Sequence, residues 1–366
     1  MADRQAKIDL TAFSDSYAQA RAKFLEAAGS RVRSYLHPDQ KGPGGEALYL
    51  DVAVLGSPDA SRIFAVGCGT HGIEGYPGSA ALTQWLRSGG AKRIPDDTAV
   101  IFFHAHNPWG FAHKTRVTEE NVDLNRNFID FSRPRPINPG YEEVHRIITP
   151  ERWNEASVAT VFRQLAEFKR LVGEQAFSDA FNGGQYTHRD GVYYGGEREQ
   201  WSNGAFRRAV GEHFLRAKKI CFIDLHTAIG PRYDHIYLCF HPPGSPGYER
   251  ARKWWGERAV NRQGVTHKAV AVYSGLLIDA FEAILAGAEL TTLVVEFGTL
   301  AREDVQRAAL LQRWLRFHGP QDPERARQLL PEYEEAYYPS EPRWREAVLE
   351  QSLEFLDRGV RGVSSW

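Results

Sequence analysis

Short runs rich in Val, Ile and Phe recur along this sequence, and helical patterns separate many of them. The runs are 47–55, 62–66, 99–104, 220–225, 236–240, 267–273 and 291–297. This alternation predicts an α/β fold with a mixed, largely parallel, twisted sheet and helices on both faces. Ligands of such sheets bind beyond the carboxyl ends of the strands, where the strand order reverses. Polar residues that follow these runs are therefore the candidate functional residues.

The length of the chain fits two domains or one large α/β domain, since 366 residues with 42% hydrophobic residues can bury a large core. We predict a single domain, residues 1–366, with an insertion at about 130–216 that covers one rim of the site. The Gly- and Tyr-rich piece of that insertion, 182–196, fits a packing loop and a substrate-facing loop equally. Residues 303–357 are charged and helical in pattern, and we expect them to form a solvated outer layer.

The charge pattern argues against nucleic acid as a partner. The 45 Lys and Arg nearly balance the 46 Asp and Glu, and no basic run stands out. The sequence contains no segment of about 18 apolar residues that could cross a membrane, and its first residues lack the apolar core of a signal peptide. We therefore expect a cytoplasmic protein that acts on a small molecule or peptide. The sequence does not indicate its oligomeric state.

The cysteines do not suggest a disulfide framework or a cysteine metal site. They are odd in number, far apart and set in apolar runs, which predicts buried, reduced thiols. The three are Cys68, Cys221 and Cys239.

His71 and Glu74 lie on a glycine-rich turn that follows the run 62–66. An imidazole and a carboxylate three positions apart on such a turn can both face one ion, because glycine permits the backbone angles that this requires. The pair is a candidate half of a metal site. A hydrogen-bonded turn without a metal is the alternative, and these two residues taken alone favour it.

His226 follows the run 220–225 and so belongs at the same edge of the sheet. Two histidines and one glutamate make three protein ligands, which leave zinc a fourth position for water, as in a catalytic site. Asp224, two residues earlier, is placed to orient a metal ligand through a hydrogen bond without binding the metal itself. The alternative for His226 is a histidine that only satisfies its hydrogen bonds at a strand end.

Glu296 ends the otherwise apolar run 291–297. A carboxylate in such surroundings needs a partner or a function. One glutamate near the open position of a metal can take a proton from water and pass it to the leaving amine. A structural ion pair at the sheet edge is the alternative.

Four sequence elements in a fixed order resemble a known superfamily. They are His71-Gly72-Ile73-Glu74, Asp123-Leu124-Asn125-Arg126-Asn127-Phe128, the strand-end His226 and the final Glu296. This order resembles the signature of carboxypeptidase A-type zinc metallopeptidases and of their aspartoacylase and succinylglutamate desuccinylase relatives. Segments 107–111 and 114–116 resemble the Asn-Pro-x-Gly turn and the Lys-Thr-Arg segment of that superfamily. The resemblance covers about residues 49–299, is weakest over 130–216, and suggests a less characterised branch.

The resemblance implies a zinc carboxypeptidase-like fold and a role for each matching residue. His71, Glu74 and His226 would be the ligands of one Zn²⁺ per chain. Glu296 would be the general base.

The resemblance also implies a set of residues that contact the substrate. Asn125 and Arg126 would hold a substrate carboxylate, a role that suits the planar, bidentate guanidinium. Arg116 would polarise the scissile carbonyl, and His113 is the lesser candidate for that role. Tyr273 resembles the tyrosine that caps the substrate, although a packed aromatic at a strand end fits it equally.

The sequence therefore predicts a zinc-dependent, carboxypeptidase-like hydrolase that cleaves an amide bond next to a free carboxylate in a small peptide. The alternative enzyme is an N-acyl-amino-acid deacylase of the aspartoacylase type. The turn 69–75 resembles the Gly-x-His-Gly-x-Glu form of the deacylases and amidases more than the turn of the secreted digestive carboxypeptidases. An alternative of another class is a metal-retaining binding protein without hydrolysis. Glu296 argues against that alternative, since a protein that only binds needs no base at the open position.

Overall fold

The structure, a computed structural model, describes residues 7–257, 259–261 and 271–366. Its strands are β1 Val32–Lys41, β2 Ala47–Gly56, β3 Arg62–Cys68, β4 Thr98–His104, β5 Lys219–Ala228, β6 His235–Cys239, β7 Ala259–Asn261 and β8 Glu289–Gly298. Its helices are α1 Tyr17–Ala28, α2 Gly75–Arg87, α3 Pro108–Ala112, α4 Tyr141–Ile148, α5 Glu155–Val172, α6 Glu174–Asn182, α7 Trp201–His213, α8 Pro246–Trp255, α9 Leu277–Ile284, α10 Arg302–Phe317, α11 Pro323–Tyr337 and α12 Pro342–Ser364. Short 3-10 turns include Gly72–Glu74 and Leu124–Arg126.

The described strands form one sheet in the order β1-β2-β4-β3-β5-β8-β6-β7. The central strands β4, β3, β5 and β8 are parallel, whereas β2 and β6 flank them in the antiparallel direction. The chain runs from β3 to β4 on one side and later places β5 on the other side of β3, so the strand order reverses there. The predicted α/β fold with a mixed, largely parallel sheet is confirmed.

Helices cover both faces of the sheet because the central strands send apolar side chains alternately to two cores. Phe64 and Val66 of β3 face a core formed with α1, α2, α10, α11 and α12. Ile63 and Ala65 face a second core formed with α7 and α9. Parallel strands that are buried on both faces produce the continuous apolar runs seen in the sequence.

The C-terminal helices are more deeply buried than predicted. The helical prediction is confirmed by α10, α11 and α12, but the prediction of a solvated outer layer is wrong, because Trp314, Tyr337 and Trp344 are buried. A side chain at Gly359 of α12 would collide with the ring of Phe64 in the sheet. Apolar residues three or four positions apart share one helix face, so a charged segment can still bury a full stripe. In the described part of the chain, no helix combines the length and apolarity needed to cross a membrane.

Two strand assignments differ from the sequence prediction. The edge strand β1 was not predicted, because polar residues and Pro38 interrupt its pattern, as is common at exposed sheet edges. Of the predicted strand 267–273, residues 271–273 are not in a strand, and the rest lies outside the described residues.

The range of the predicted insertion, 130–216, contains α4, α5, α6 and α7. The last of these packs on the sheet, where the ring of Phe206 lies 5.4 Å from that of Phe103 and 6.2 Å from that of Phe222. Thus α7 belongs to the second core. The division into one domain with an insertion stays a prediction.

Candidate metal centre

The turn after β3 requires glycine because backbone from another segment packs against it. It winds through Gly72–Glu74 directly into α2. A side chain at Gly72 would collide with the carbonyl oxygen of Thr115 and with the backbone of Gly110. The glycine therefore lets the turn lie flat against segment 107–116.

The three predicted metal ligands meet at one point. Nδ1 of His226 lies 3.2 Å from Nδ1 of His71 and 3.1 Å from Oε2 of Glu74. Nδ1 of His71 lies 3.4 Å from Oε1 of Glu74. All three side chains are buried, and their ligand atoms are close enough to share a metal ion.

Two carboxylates hold the far nitrogens of the imidazoles. Asp123 Oδ1 lies 3.0 Å from His71 Nε2, and Asp224 Oδ2 lies 2.7 Å from His226 Nε2. If each Nε2 donates its proton, each ring keeps a lone pair on Nδ1. Two such lone pairs 3.2 Å apart favour a cation between them. Glu74 Oε1 is buried and has no hydrogen bond with a described residue, although Arg116 forms an ion pair with it, and it completes a donor set of two nitrogens and one oxygen that fits zinc.

Glu296 lies beside His226 on the neighbouring strand. The two residues are register partners of the parallel pair β5 and β8. Ile229 N donates to Glu296 Oε2 at 3.3 Å. Burial raises the pKa of Glu296 to about 8. His226 opposes this rise in pKa, and the negative charge of Glu74 adds to it. Glu296 is thus a fourth ionisable group at this edge, additional to the three ligands.

Arg116 packs against the ligands. Its Nη1 lies 3.3 Å from Glu74 Oε1 as an ion pair, and its Nη2 lies 3.0 Å from His71 Nδ1. Its guanidinium also lies over the ring of Tyr337, 4.9 Å from the centroid. Burial alone would raise the pKa of Glu74, but Arg116 and His71 outweigh it and hold that pKa below its usual value.

His113, the lesser candidate for the role of Arg116, lies at the surface. Its ring stacks on Trp109 at 4.3 Å, and its Nε2 lies 3.0 Å from the carbonyl oxygen of Lys41. The structure therefore brings Arg116 to the ligands and leaves His113 exposed.

Arg126 is buried, and Asp123, the acid close enough to interact with its charge, makes no ion pair with it. Its Nη1 and Nη2 donate to the main-chain carbonyls of Asn125 and Asn182 at 2.8 and 2.9 Å. Its Nε is buried without a hydrogen bond, and no ion pair joins it to a carboxylate of the described chain. The rings of Tyr193 and Tyr273 lie 5.5 and 4.8 Å from the guanidinium. A buried guanidinium in this state favours an anionic ligand.

The other two predicted substrate residues adjoin Arg126, and we call the surroundings of its guanidinium, lined by Tyr193 and Tyr273, the Arg126 recess. Asn125 Oδ1 accepts a hydrogen bond from Leu277 N at 2.8 Å, so its amide nitrogen is the group left to donate. Tyr273 is half-buried against the guanidinium. The structure thus brings Asn125, Arg126 and Tyr273 together.

Sequence reasoning did not assign a role to three residues at the site: Asp123, Tyr193 and Tyr337. Asp123 lies in the segment 123–128 that resembles the superfamily, close to Asn125 and Arg126, and this position was the available signal. Tyr193 lay in the loop that fitted two interpretations. Tyr337 reaches Arg116 from α11, for which no local pattern gives a signal.

A second grouping of possible ligands lies in α4 and in the loop between α6 and α7. Nε2 of His145 lies 2.9 Å from Asp190 Oδ1, and Nε2 of His188 lies 2.9 Å from Glu142 Oε2. Arg313 already pairs with the other oxygen of Asp190 at 2.6 Å. Each group therefore has a partner, and we assign no metal to this grouping.

The chain matches the family DUF2817, described as a protein of unknown function, over residues 13–351. A comparison with curated proteins gives no match.

Several solved structures have a similar fold. Carboxypeptidase A of Helicoverpa armigera is 14% identical, with a TM-score of 0.44 over 89% of this chain and 76% of that one. Murein-tripeptide amidase of Escherichia coli O157 is 17% identical, with a TM-score of 0.35 over 78% and 93%. A protein of Shewanella amazonensis assigned to the succinylglutamate desuccinylase/aspartoacylase family is 15% identical, with a TM-score of 0.36 over 77% and 72%. At these values the likeness carries no information about substrate.

Proposed function

This chain belongs to the family DUF2817, and we propose that it is a zinc-dependent hydrolase that cleaves an amide bond next to a free carboxylate, as a carboxypeptidase does. One arrangement of two features carries the proposal. Three residues of the types that bind zinc converge at the carboxyl edge of the sheet, and the buried guanidinium of Arg126 makes no ion pair with a carboxylate of the described residues. The first feature suits hydrolysis, and the second suits recognition of a carboxylate.

One Zn²⁺ per chain would be held by His71, Glu74 and His226, a set that leaves a position open. Zinc bound there would supply Lewis acidity, which activates water and polarises a carbonyl group. Asp123 and Asp224 would keep the two imidazoles in the tautomer that leaves Nδ1 free to bind.

Glu296 would take a proton from the attacking water and give it to the departing nitrogen. Its position beside His226 supports this role, because a proton acceptor must adjoin the metal ligands. Arg116 would stabilise the negative charge that develops on the carbonyl oxygen, since its guanidinium donors already lie at the ligands.

Arg126 would pair with the carboxylate of the substrate, and Asn125 would donate its side-chain amide to the same group. Tyr273 would cover the bound substrate. The unsatisfied Nε of Arg126 supports this assignment, because a carboxylate would accept from it.

Two alternatives use the same residues. An N-acyl-amino-acid deacylase of the aspartoacylase type would need the same metal, base and carboxylate pocket, and would differ only in what lies on the acyl side of the amide. A metal-retaining binding protein would need no proton acceptor, and Glu296 argues against it.

The test is an assay of zinc-loaded protein with three substrate sets: peptides with free C-termini, the same peptides as C-terminal amides, and N-acyl amino acids. Hydrolysis of the free peptides supports the carboxypeptidase proposal, and hydrolysis confined to the N-acyl amino acids supports the deacylase. Binding of these compounds without turnover of any of them would support the alternative of a metal-retaining binding protein.

A further inference from the structure

We infer that the insertion segment 182–196 forms one wall of the Arg126 recess, and that Tyr193 on this segment binds the substrate and selects free-acid substrates. This inference rests on the proposed function, because it adds a specificity-determining residue to the same site. Its expected ligand is a compound in which the residue that supplies the nitrogen of the scissile amide also carries the free carboxylate.

Segment 182–196 is bonded to the motif that carries Arg126. The bonds run from Asp123 N to Tyr194 O (2.7 Å), from Tyr186 Oη to Arg126 O (2.6 Å), from Asn127 Nδ2 to Gly195 O (2.9 Å) and from Arg126 Nη2 to Asn182 O (2.9 Å). A loop that only covered the rim would not need to hold this motif at four places. The segment is therefore part of the recess itself.

The backbone of Tyr193 supports a functional role. Its φ of 52° lies in the left-handed region, which disfavours a bulky side chain. Gln185 N donates to Tyr193 O at 3.1 Å and helps to hold this conformation. Asparagine or glycine would adopt it at lower cost, and strain of this kind persists mainly where a binding site uses the side chain.

The side chain of Tyr193 lies near both arginines of the site. Its ring is 5.5 Å from the guanidinium of Arg126. Burial raises the pKa of its phenol, and Arg116 and Arg126 both oppose that effect, so the hydroxyl lies in the field of both cations. No hydrogen bond joins this hydroxyl to another residue of the described chain. A substrate whose carboxylate pairs with Arg126 would therefore lie near this hydroxyl, which can donate to a substrate oxygen.

Two variants separate a binding role from a packing role. Tyr193→Phe removes only the hydroxyl, and Tyr193→Asn also removes the ring but suits the positive φ. We expect Tyr193→Phe to lower kcat/KM for a free-acid substrate about tenfold, mainly through KM, with little effect on the amide counterpart. We expect Tyr193→Asn to lose more activity while its Tm stays equal or rises. Tyr233→Phe is the matched control, because Tyr233 also has a positive φ, of 67°, but its hydroxyl donates to Glu341.

Binding of N-acetyl-L-phenylalanine, measured by calorimetry, gives a readout independent of turnover. Weaker binding to Tyr193→Phe, by about tenfold, supports the inference even if the wild type hydrolyses nothing, in which case only the proposed function fails. Wild-type turnover with unchanged kinetics and binding in both Tyr193 variants overturns the inference and leaves the proposed function standing. A wild type that neither binds the probe nor hydrolyses any substrate overturns both.

Discussion

Asp224 Oδ2 lies 2.7 Å from His226 Nε2, because residues two apart on a strand share one face of the sheet. Asp123 makes the equivalent contact with His71 from a different segment, at 3.0 Å. Each candidate metal-binding histidine is thus oriented by its own carboxylate. The two contacts have the same chemistry but come from local and distant sequence, respectively.

This arrangement predicts how the aspartates act on metal affinity. Asp224→Asn and Asp123→Asn should each weaken zinc binding about 10- to 100-fold, because the imidazole loses the acceptor that fixes its orientation and basicity. Chelator competition measures the affinity. Asp130→Asn, at an exposed position, is the control and should bind zinc as the wild type does. Unchanged affinity in both site variants would show that the aspartates are only structural.

Removing a ligand should have a larger effect. His71→Ala and His226→Ala should each lose most of the zinc, because two remaining protein ligands hold the ion poorly. Elemental analysis of dialysed protein measures the content, which should be about one zinc per chain in the wild type. His113→Ala, at the surface, should retain it. Full retention of zinc in both ligand variants would remove the proposed site.

Glu296 should matter for turnover and not for metal content. Glu296→Gln should keep zinc and fold while the rate falls about 10² to 10⁴-fold, since the amide cannot accept the proton. Single-turnover kinetics and elemental analysis measure the two quantities. Glu289→Gln, at the exposed start of the same strand, is the control. Near wild-type turnover of Glu296→Gln would refute the role of general base.

Arg126 should set the preference for free acids. The wild type should favour a free-acid substrate over its amide by well over tenfold, because leaving one partner of a buried charge pair unpaired costs about 2–5 kcal/mol. Arg126→Ala should erase most of this preference, whereas Arg133→Ala, at an exposed position, should keep it. The ratio of kcat/KM values for the two substrates measures the preference. Equal wild-type hydrolysis of both would mean that Arg126 is structural.

Acid should destabilise the protein through His104. Burial lowers the pKa of His104 to about 4, from an ordinary value of 6.5. The unfolded state therefore binds the proton more tightly. The stabilisation by the neutral ring is complete above pH 6.5 and is lost as the pH falls toward 4, by at most about 3 kcal/mol.

Urea denaturation of metal-free protein between pH 4 and 7 would measure this loss. His104→Phe should show a shallower fall in the free energy of unfolding than the wild type. The same pH dependence in both proteins would contradict the assignment.

The sequence predicted the parts of the site that follow strands. A strand end followed by a polar residue fixes where His226 and Glu296 must lie, because parallel neighbours bring their carboxyl ends to one edge. The turn around His71 could also be predicted, because its glycines occupy positions where other residues would collide with neighbouring backbone.

The parts that depend on distant packing were not predictable. Tyr337 reaches Arg116 from a helix more than 200 residues later, and its local pattern is that of an ordinary amphipathic helix. The position of Tyr193 depends on a left-handed backbone conformation. In a sequence, asparagine or glycine would indicate that conformation, but this position holds a tyrosine. Such positions are set by the completed fold and not by local propensity.

With the proposed zinc bound, the convergence of ligands at the sheet edge would also link metal supply to the survival of the chain. His71 and His226 are 155 positions apart in sequence, so an unfolded chain brings both to one ion only at the entropic cost of closing that loop. Binding to the folded state alone would add its whole free energy to native stability, about 2.7 kcal/mol at a free zinc concentration of 100 times Kd. A cell that ran short of zinc would thus lose the protein to proteolysis as well as its activity, since the population open to proteases grows as the metal leaves.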